Sequence, residues 1–226
     1  MKAVLSTRNK NKIRELNELF RSSSLDGIEI LSLEDVGITE EVEEIGSTFE
    51  ENSLIKASLP AKYGYIGIAD DSGLCVDALN GAPGLYSSRF SGLEATDKTN
   101  NALLLSKLES VPDNERSARF VCVISCVFPD GYNSNSLNLG EHDFTDRFPA
   151  VTGSSAALTV RGECEGVILR SPRGFDGFGY DPLFYIPEIG KTFAELSSTQ
   201  KSKISHRGRA LRSFTEVFGR ALRSIE

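Results

Sequence analysis

The segment from Arg119 to Phe128, RFVCVISCVF, is apolar at nearly every position. A strand that shows one face to water alternates apolar and polar residues, whereas an unalternating run must be covered on both faces. A chain built around such a strand needs a layer of structure on each side of a sheet, and 226 residues suffice for one sizeable core. Lys2 to Ser6, Ile28 to Leu33, a stretch from Ala156 to Leu169 broken by glycines, and Leu183 to Ile186 read as further strands. Ile13, Leu16 and Phe20 recur at helical spacing, Asn100 to Leu108 is leucine-rich, and Ala210, Phe214, Val217 and Leu222 mark the inner face of a last helix starting near Ser205. These strands and helices intermix without a regular βαβ rhythm. The expected fold is therefore α/β with a mixed central sheet.

Local signals refine the frame. Thr48 followed by Glu51 predicts a helix start by the capping-box pattern, and Pro60 is expected to end or kink that helix. Ile66–Ala69 and Leu74–Ala78 read as two short apolar runs, with Asp70-Asp71-Ser72-Gly73 where the first of them ends. Asp130-Gly131 marks a turn, and the polar stretch from Tyr132 to Arg147 follows it.

The formal net charge of -7 disfavours a general nucleic-acid binder, because such a chain repels phosphate backbones. A small phosphorylated substrate remains compatible if basic residues gather locally. No apolar stretch has the length of a membrane span, and Met1 to Ser6 does not read as a signal peptide. Cys75, Cys122, Cys126 and Cys164 form no C-x-x-C pair, and only two histidines accompany them. They read as small apolar residues in a reducing cytosol, so the expected location is cytoplasmic.

Five constellations carry possible chemistry. Thr7, Asn9 and Lys12 lie in a polar loop between a strand and a helix, where free N–H groups favour phosphate; the alternative is a solvated basic loop. Asn52 and Lys56 share a helical face, and Glu44 lies just before that helix, within plausible reach of a metal or simply on a solvated acidic helix start. Asp70 and Asp71 repel each other unless a cation or solvent relieves them, which suits magnesium with substrate phosphates, though an acidic turn would look the same. In Gly177-Phe178-Gly179-Tyr180-Asp181-Pro182 an aromatic ring between glycines suits stacking on a base, and Asp181 suits a ring N–H; a tight aromatic turn packed on the core is the alternative. Lys201, His206 and Arg207 form a second basic cluster at a helix start.

Taken together these segments resemble the inosine/xanthosine triphosphate pyrophosphatase family, the house-cleaning purine triphosphatases. The match runs through Thr7-x-Asn9-x-x-Lys12, Glu44-x-Gly46-x-x-Phe49-x-Glu51-Asn52 with Lys56-Ala57, and Ala69-Asp70-Asp71-Ser72-Gly73-Leu74. It continues through Gly81-Ala82-Pro83-Gly84 with Tyr86-Ser87, Pro172-Arg173-Gly174 with Gly177 to Pro182, and Lys201 with Ser205-His206-Arg207-Gly208. Six motifs in order over nearly the whole chain are far more specific than any one of them. The resemblance implies one domain over 1–226, of two lobes around a long mixed sheet flanked by helices, with the active-site cleft between the lobes. It also implies a homodimer and a magnesium cofactor. It assigns Thr7, Asn9, Lys12 and Lys56 to the phosphates; Glu44, Asp70 and Asp71 to the metal; and Asp71 to the general base, with Ser72 beside it. Phe178 would stack on the base, and Asp181, Lys201, His206 and Arg207 would read its edge. Two departures stand out: Arg8 where the family often has a small glycine, and a surface insertion near 131–150.

The implied reaction is hydrolysis of deaminated purine nucleoside triphosphates (ITP, dITP, XTP) to the monophosphate and pyrophosphate. Hypoxanthine and xanthine present an acceptor at position 6 where adenine presents a donor, so buried donors aimed there discriminate by ~10⁴-fold. Guanine shares the 6-oxo group, so its exclusion needs a further obstacle to the 2-amino group. Two other readings carry the same motifs: a pyrophosphatase for other triphosphates, and a non-catalytic nucleotide-binding module. Clustered carboxylates argue against the second, because a phosphate binder has no use for them.

Overall fold

The computed structural model describes residues 1–7, 10–21, 25, 27–132 and 156–223; in the first helix the side chains of residues 10–12, 14, 15 and 19 lie outside that description. Asn9, Arg8, the side chain of Lys12 and most of the expected insertion thus lie outside the described residues.

Among the described residues seven strands form one sheet, in the order β2-β1-β3-β4-β5-β6-β7. They are β1 (Lys2–Leu5), β2 (Glu29–Ser32), β3 (Ile66–Val76), β4 (Ser117–Val127), β5 (Ala157–Ile168), β6 (Phe184–Ile186) and β7 (Lys191–Thr192). β1 runs parallel to β2 and β3, whereas β6 runs antiparallel to β5 and β7, so the sheet is mixed as expected. The apolar run from Arg119 falls on β4, the middle strand, which is buried without a break from Phe120 to Val127. Among the described residues five α-helices accompany the sheet: α1 (Lys10–Arg21), α2 (Phe49–Lys62), α3 (Asp97–Lys107), α4 (Ser198–Ile204) and α5 (His206–Arg223).

The chain groups into two compact units. The first comprises Met1–Asp71, Val123–Arg161 and Ala210–Glu226, and the second Ser72–Cys122 and Gly162–Arg209. In the first, Phe20, Phe128, Phe214 and Phe218 stack in a chain of aromatic contacts, with ring centroids 5.2–6.4 Å apart. The inner face assigned to α5 is thereby realised, since Ala210, Phe214, Val217 and Leu222 are all buried. In the second, Leu74, Leu104, Leu108, Phe120, Tyr180, Phe184 and Phe193 belong to one buried cluster.

Two local expectations are corrected. Asp70-Asp71 does not close a strand. Ile66–Ala69 and the run after Gly73 belong to one eleven-residue strand, β3, which crosses the acidic pair. Its place between β1 and β4 outweighs the poor strand propensity of Asp and Ser. Nor does Pro60 stop α2, which continues to Lys62. The proline sits in the last turn, where its missing N–H removes a single helical bond, and Tyr63 N–H and Tyr65 N–H both donate to the Pro60 carbonyl as the helix ends.

Candidate active site

The first group of candidate residues is assembled by α2 and β3, within the first unit. The Thr48 hydroxyl caps α2 by accepting from Glu51 N–H at 3.1 Å, as expected. The return bond of the box is displaced by one residue, since the Glu51 carboxylate accepts from the N–H and hydroxyl of Ser47. One turn on, buried Asn52 accepts from Gly46 N–H at 2.8 Å and fastens the segment that carries Glu44. α2 lies directly on β3: a Cβ on Gly67 would stand 1.9 Å from the Ala57 carbonyl oxygen, so only glycine permits this approach. The Ser53 hydroxyl donates to the Ala69 carbonyl at 3.0 Å and pins the same contact.

That approach brings Lys56 to Asp71. The Lys56 ammonium donates to Asp71 Oδ1 at 2.8 Å and to Glu44 Oε1 at 2.9 Å, with only 14% of its side chain exposed. Two carboxylates thus converge on one cationic point. Burial works against the Lys56 charge, but Asp71 and then Glu44 outweigh it and hold the ammonium's pKa above its ordinary value. Burial raises the Asp71 carboxyl above the usual range; Lys56 draws it back, and the charges of Glu44 and Asp70 add to the rise. Asp71 is therefore a carboxylate with enhanced proton affinity, held in place by a lysine.

Strand alternation separates the neighbours of Asp71. Gly67, Ala69 and Asp71 fall on the face that α2 covers, while Asp70 and Ser72 fall on the other. Asp70, buried at 8% exposure, and Ser72 thus lie on the face opposite to Asp71, while the Asp70 charge still acts on the Asp71 carboxyl. The Ser72 hydroxyl is buried and has no hydrogen-bond partner among the described residues. Among the described residues no three His, Cys, Asp or Glu side chains gather as a metal cage. Thr7 leaves β1 immediately after Ser6, whose N–H donates to the Ile68 carbonyl, so it emerges next to the part of β3 that leads into Asp70. Lys12 falls in the first turn of α1.

The second group lies within the second unit. Lys201, in α4, donates to Asp181 Oδ2, and its ammonium stands 4.6 Å from the centre of the Phe178 ring. Asp181 is 2% exposed; its carboxylate also accepts from Phe178 N–H at 3.0 Å. Burial pushes its carboxyl up, Lys201 and the Phe178 N–H pull it down, and Asp97 adds to the rise. Gly177 makes room for this carboxylate, because a Cβ there would stand 2.1 Å from Asp181 Oδ2. In this loop Tyr180 is buried and its hydroxyl donates to the Ser87 carbonyl, as a tight aromatic turn packed on the core requires, whereas Phe178 keeps 75% of its surface open. The ring of His206, the first residue of α5, lies flat on Phe120 at 4.7 Å, and half-buried Arg207 follows it.

Sequence reasoning missed three contributors: Asn52 as the tie to the Glu44 segment, Phe120 as the platform under His206, and the grip of α3 on the glycine loop. Only the first left a readable trace, the four-residue spacing of Asn52 and Lys56.

A profile of the Ham1 family matches residues 3–217. A dITP/XTP pyrophosphatase of Desulforamulus reducens is 46% identical over 221 residues, covering 97% of this chain and 96% of that protein. One from Geobacter sulfurreducens is 48% identical over 219 residues, covering 96% of each. Among solved structures, a HAM1 protein from Coxiella burnetii superposes with a TM-score of 0.81 at 40% identity, covering 98% of this chain and all of that one (100%). With a family match spanning nearly its whole length and relatives this similar, the chain belongs to the Ham1 family.

Proposed function

We propose that this chain hydrolyses deaminated purine nucleoside triphosphates (dITP, XTP and ITP) to the monophosphate and pyrophosphate, with magnesium as cofactor. The observation that carries the reading is the convergence of Glu44 and Asp71 on Lys56, at 2.9 and 2.8 Å, in a chain whose relatives are named dITP/XTP pyrophosphatases.

Magnesium binds through one or two carboxylates together with phosphate oxygens and water, rather than in a full protein cage. Glu44 and Asp71 fit that mode, since both are hard oxygen donors already aimed at one positive charge. They would hold the ion, while Asp70 contributes negative charge from the other face of β3. When bound, magnesium offsets charge on the phosphates and polarises the bond to be broken. Asp71 orients the attacking water toward the α-phosphorus and takes its proton. Lys56 holds the Asp71 carboxylate in place and, with Thr7, Asn9 and Lys12, stabilises the phosphates as pyrophosphate leaves. Ser72 offers a hydroxyl that has no partner among the described residues.

Phe178 supplies the stacking surface for the purine. Lys201 presents a donor suited to a 6-oxo group and Asp181 an acceptor suited to a ring N–H, with His206 and Arg207 at the start of α5 completing the edge-reading set. The proposal extends to a cytoplasmic homodimer. Four cysteines, none of them in a disulfide, suit a reducing compartment, and among the described residues no helix is long and apolar enough to cross a membrane. Sedimentation at twice the 24.6 kDa chain mass would establish the dimer.

Product analysis tests the reaction. With magnesium, dITP or XTP should yield monophosphate and pyrophosphate as first products. Diphosphate and orthophosphate, or binding without turnover, would overturn the reading.

A further inference from the structure

Phe178 stands between two glycines, Gly177 and Gly179, both with positive φ (82° and 59°), and most of its ring is open to solvent. Glycine neighbours leave the backbone broad freedom, and an exposed ring has little packing to restrict it. A stacking surface in such a place must be held from outside the loop.

The first turn of α3 does this. Gly179 N–H donates to Asp97 Oδ2 at 2.7 Å, and the Gly179 carbonyl accepts from Asn101 Nδ2 at 2.9 Å. Asp97 and Asn101 are four residues apart, on one helical face, so a single turn grips both polar groups of one residue. The helix is itself anchored: buried Asn100, between them, donates to the carbonyls of Ser87 and Ser88 and accepts from Ser91 N–H. Tyr180, next to Gly179, donates to the same Ser87 carbonyl at 2.8 Å. Phe178 N–H itself donates to Asp181 Oδ2.

We propose that Asp97 and Asn101 are positioning residues for purine recognition, fixing Gly179 through both its N–H and its carbonyl and thereby setting the Phe178 ring and the Asp181 carboxylate. The proposal rests on Phe178 and Asp181 forming the base site as described above. It has a corollary for specificity. With its N–H donated to Asp97, Gly179 has no backbone donor left to offer the base.

The test is steady-state kinetics on dITP with magnesium, using the intact protein. Asp97→Ala and Asn101→Leu should each raise KM by ~10-fold while kcat stays within ~3-fold, the pattern of lost ground-state binding rather than lost chemistry. Asp97→Asn keeps an acceptor for Gly179 N–H and should restore KM to within ~3-fold of wild type, which a general structural role for the charge would not do. Phe178→Ala serves as the reference for the base site. If Phe178→Ala raises KM and both α3 variants leave it unchanged, the clamp is overturned and the base site stands. If Phe178→Ala also leaves KM unchanged, the base-site reading falls and takes the clamp with it. A fall in kcat at constant KM in Asp97→Ala would likewise overturn the proposal. Should Asn101→Leu fail to fold, the exposed Asp97 pair decides alone.

Discussion

Lys56 occupies the point where two carboxylates would otherwise face each other, which makes the charge state of this trio the central residue-scale question. Removing one member of a largely buried charge cluster leaves the others uncompensated. Asp71→Asn retains an oxygen for Lys56 to donate to, so the fold should survive while the proton acceptor is lost. Its kcat should fall by ~10²-fold or more, with substrate binding far less affected, as measured by single-turnover and equilibrium binding experiments. Near wild-type kcat would exclude Asp71 as the base. Asp181 provides a separate test through pH. Its carboxyl is raised in the folded protein, chiefly by burial, so the native state binds a proton more tightly than the unfolded chain does. The stability this contributes is complete below the unfolded value of ~3.9 and is lost as pH rises through the folded value. Across that window the Tm of wild type should fall relative to Asp181→Asn. A rising difference would mean that Lys201 outweighs burial.

At the scale of elements, the site depends on how closely α2 lies on β3. The Gly67→Ala methyl would collide with the Ala57 carbonyl, so the helix must move off the strand. Such overpacking costs about 1–3 kcal/mol, and the displacement should also lengthen the Lys56–Asp71 contact. The expected result is a lowered Tm together with a lowered kcat; full activity at lowered Tm would show that the chemistry tolerates a looser helix. The start of α2 was legible because a cap is a local event within four residues, Thr48 to Glu51. β3 was misread as two runs because Asp70 and Asp71 look like a turn until the sheet neighbours on both sides are known. The partners of Lys56 were illegible for a related reason. Helical spacing shows which residues share a face, not which carboxylate stands opposite it. The grip of Asp97 and Asn101 on Gly179 spans 82 and 78 positions and leaves no local pattern.

For the molecule as a whole, the ordered motifs were the strongest signal, because they constrain chemistry and chain path together, whereas hydrophobic period alone gave only strands, helices and a mixed sheet. The segment that carries none of those motifs begins after the Asp130-Gly131 turn. Its frame is defined: β4 ends at Val127, β5 begins at Ala157, and Phe128 N–H donates to the Ala156 carbonyl at 2.9 Å. The chain therefore departs and returns at one hydrogen-bonded point, with Tyr132 packed on Phe128 at 5.7 Å beside it. A connection closed at its base can be shortened with little loss, since closure entropy changes only slowly with length. Polar excursions of this kind are also where insertions are best tolerated. The competing reading is a lid or partner contact, for which His142 and Asp143 are the suggestive residues. Replacing Asn133–Asp146 with a short glycine-containing turn should leave kcat/KM within ~10-fold, a barrier change near 1.4 kcal/mol. A larger loss, in a variant with unchanged Tm and sedimentation, would assign the insertion a part in catalysis.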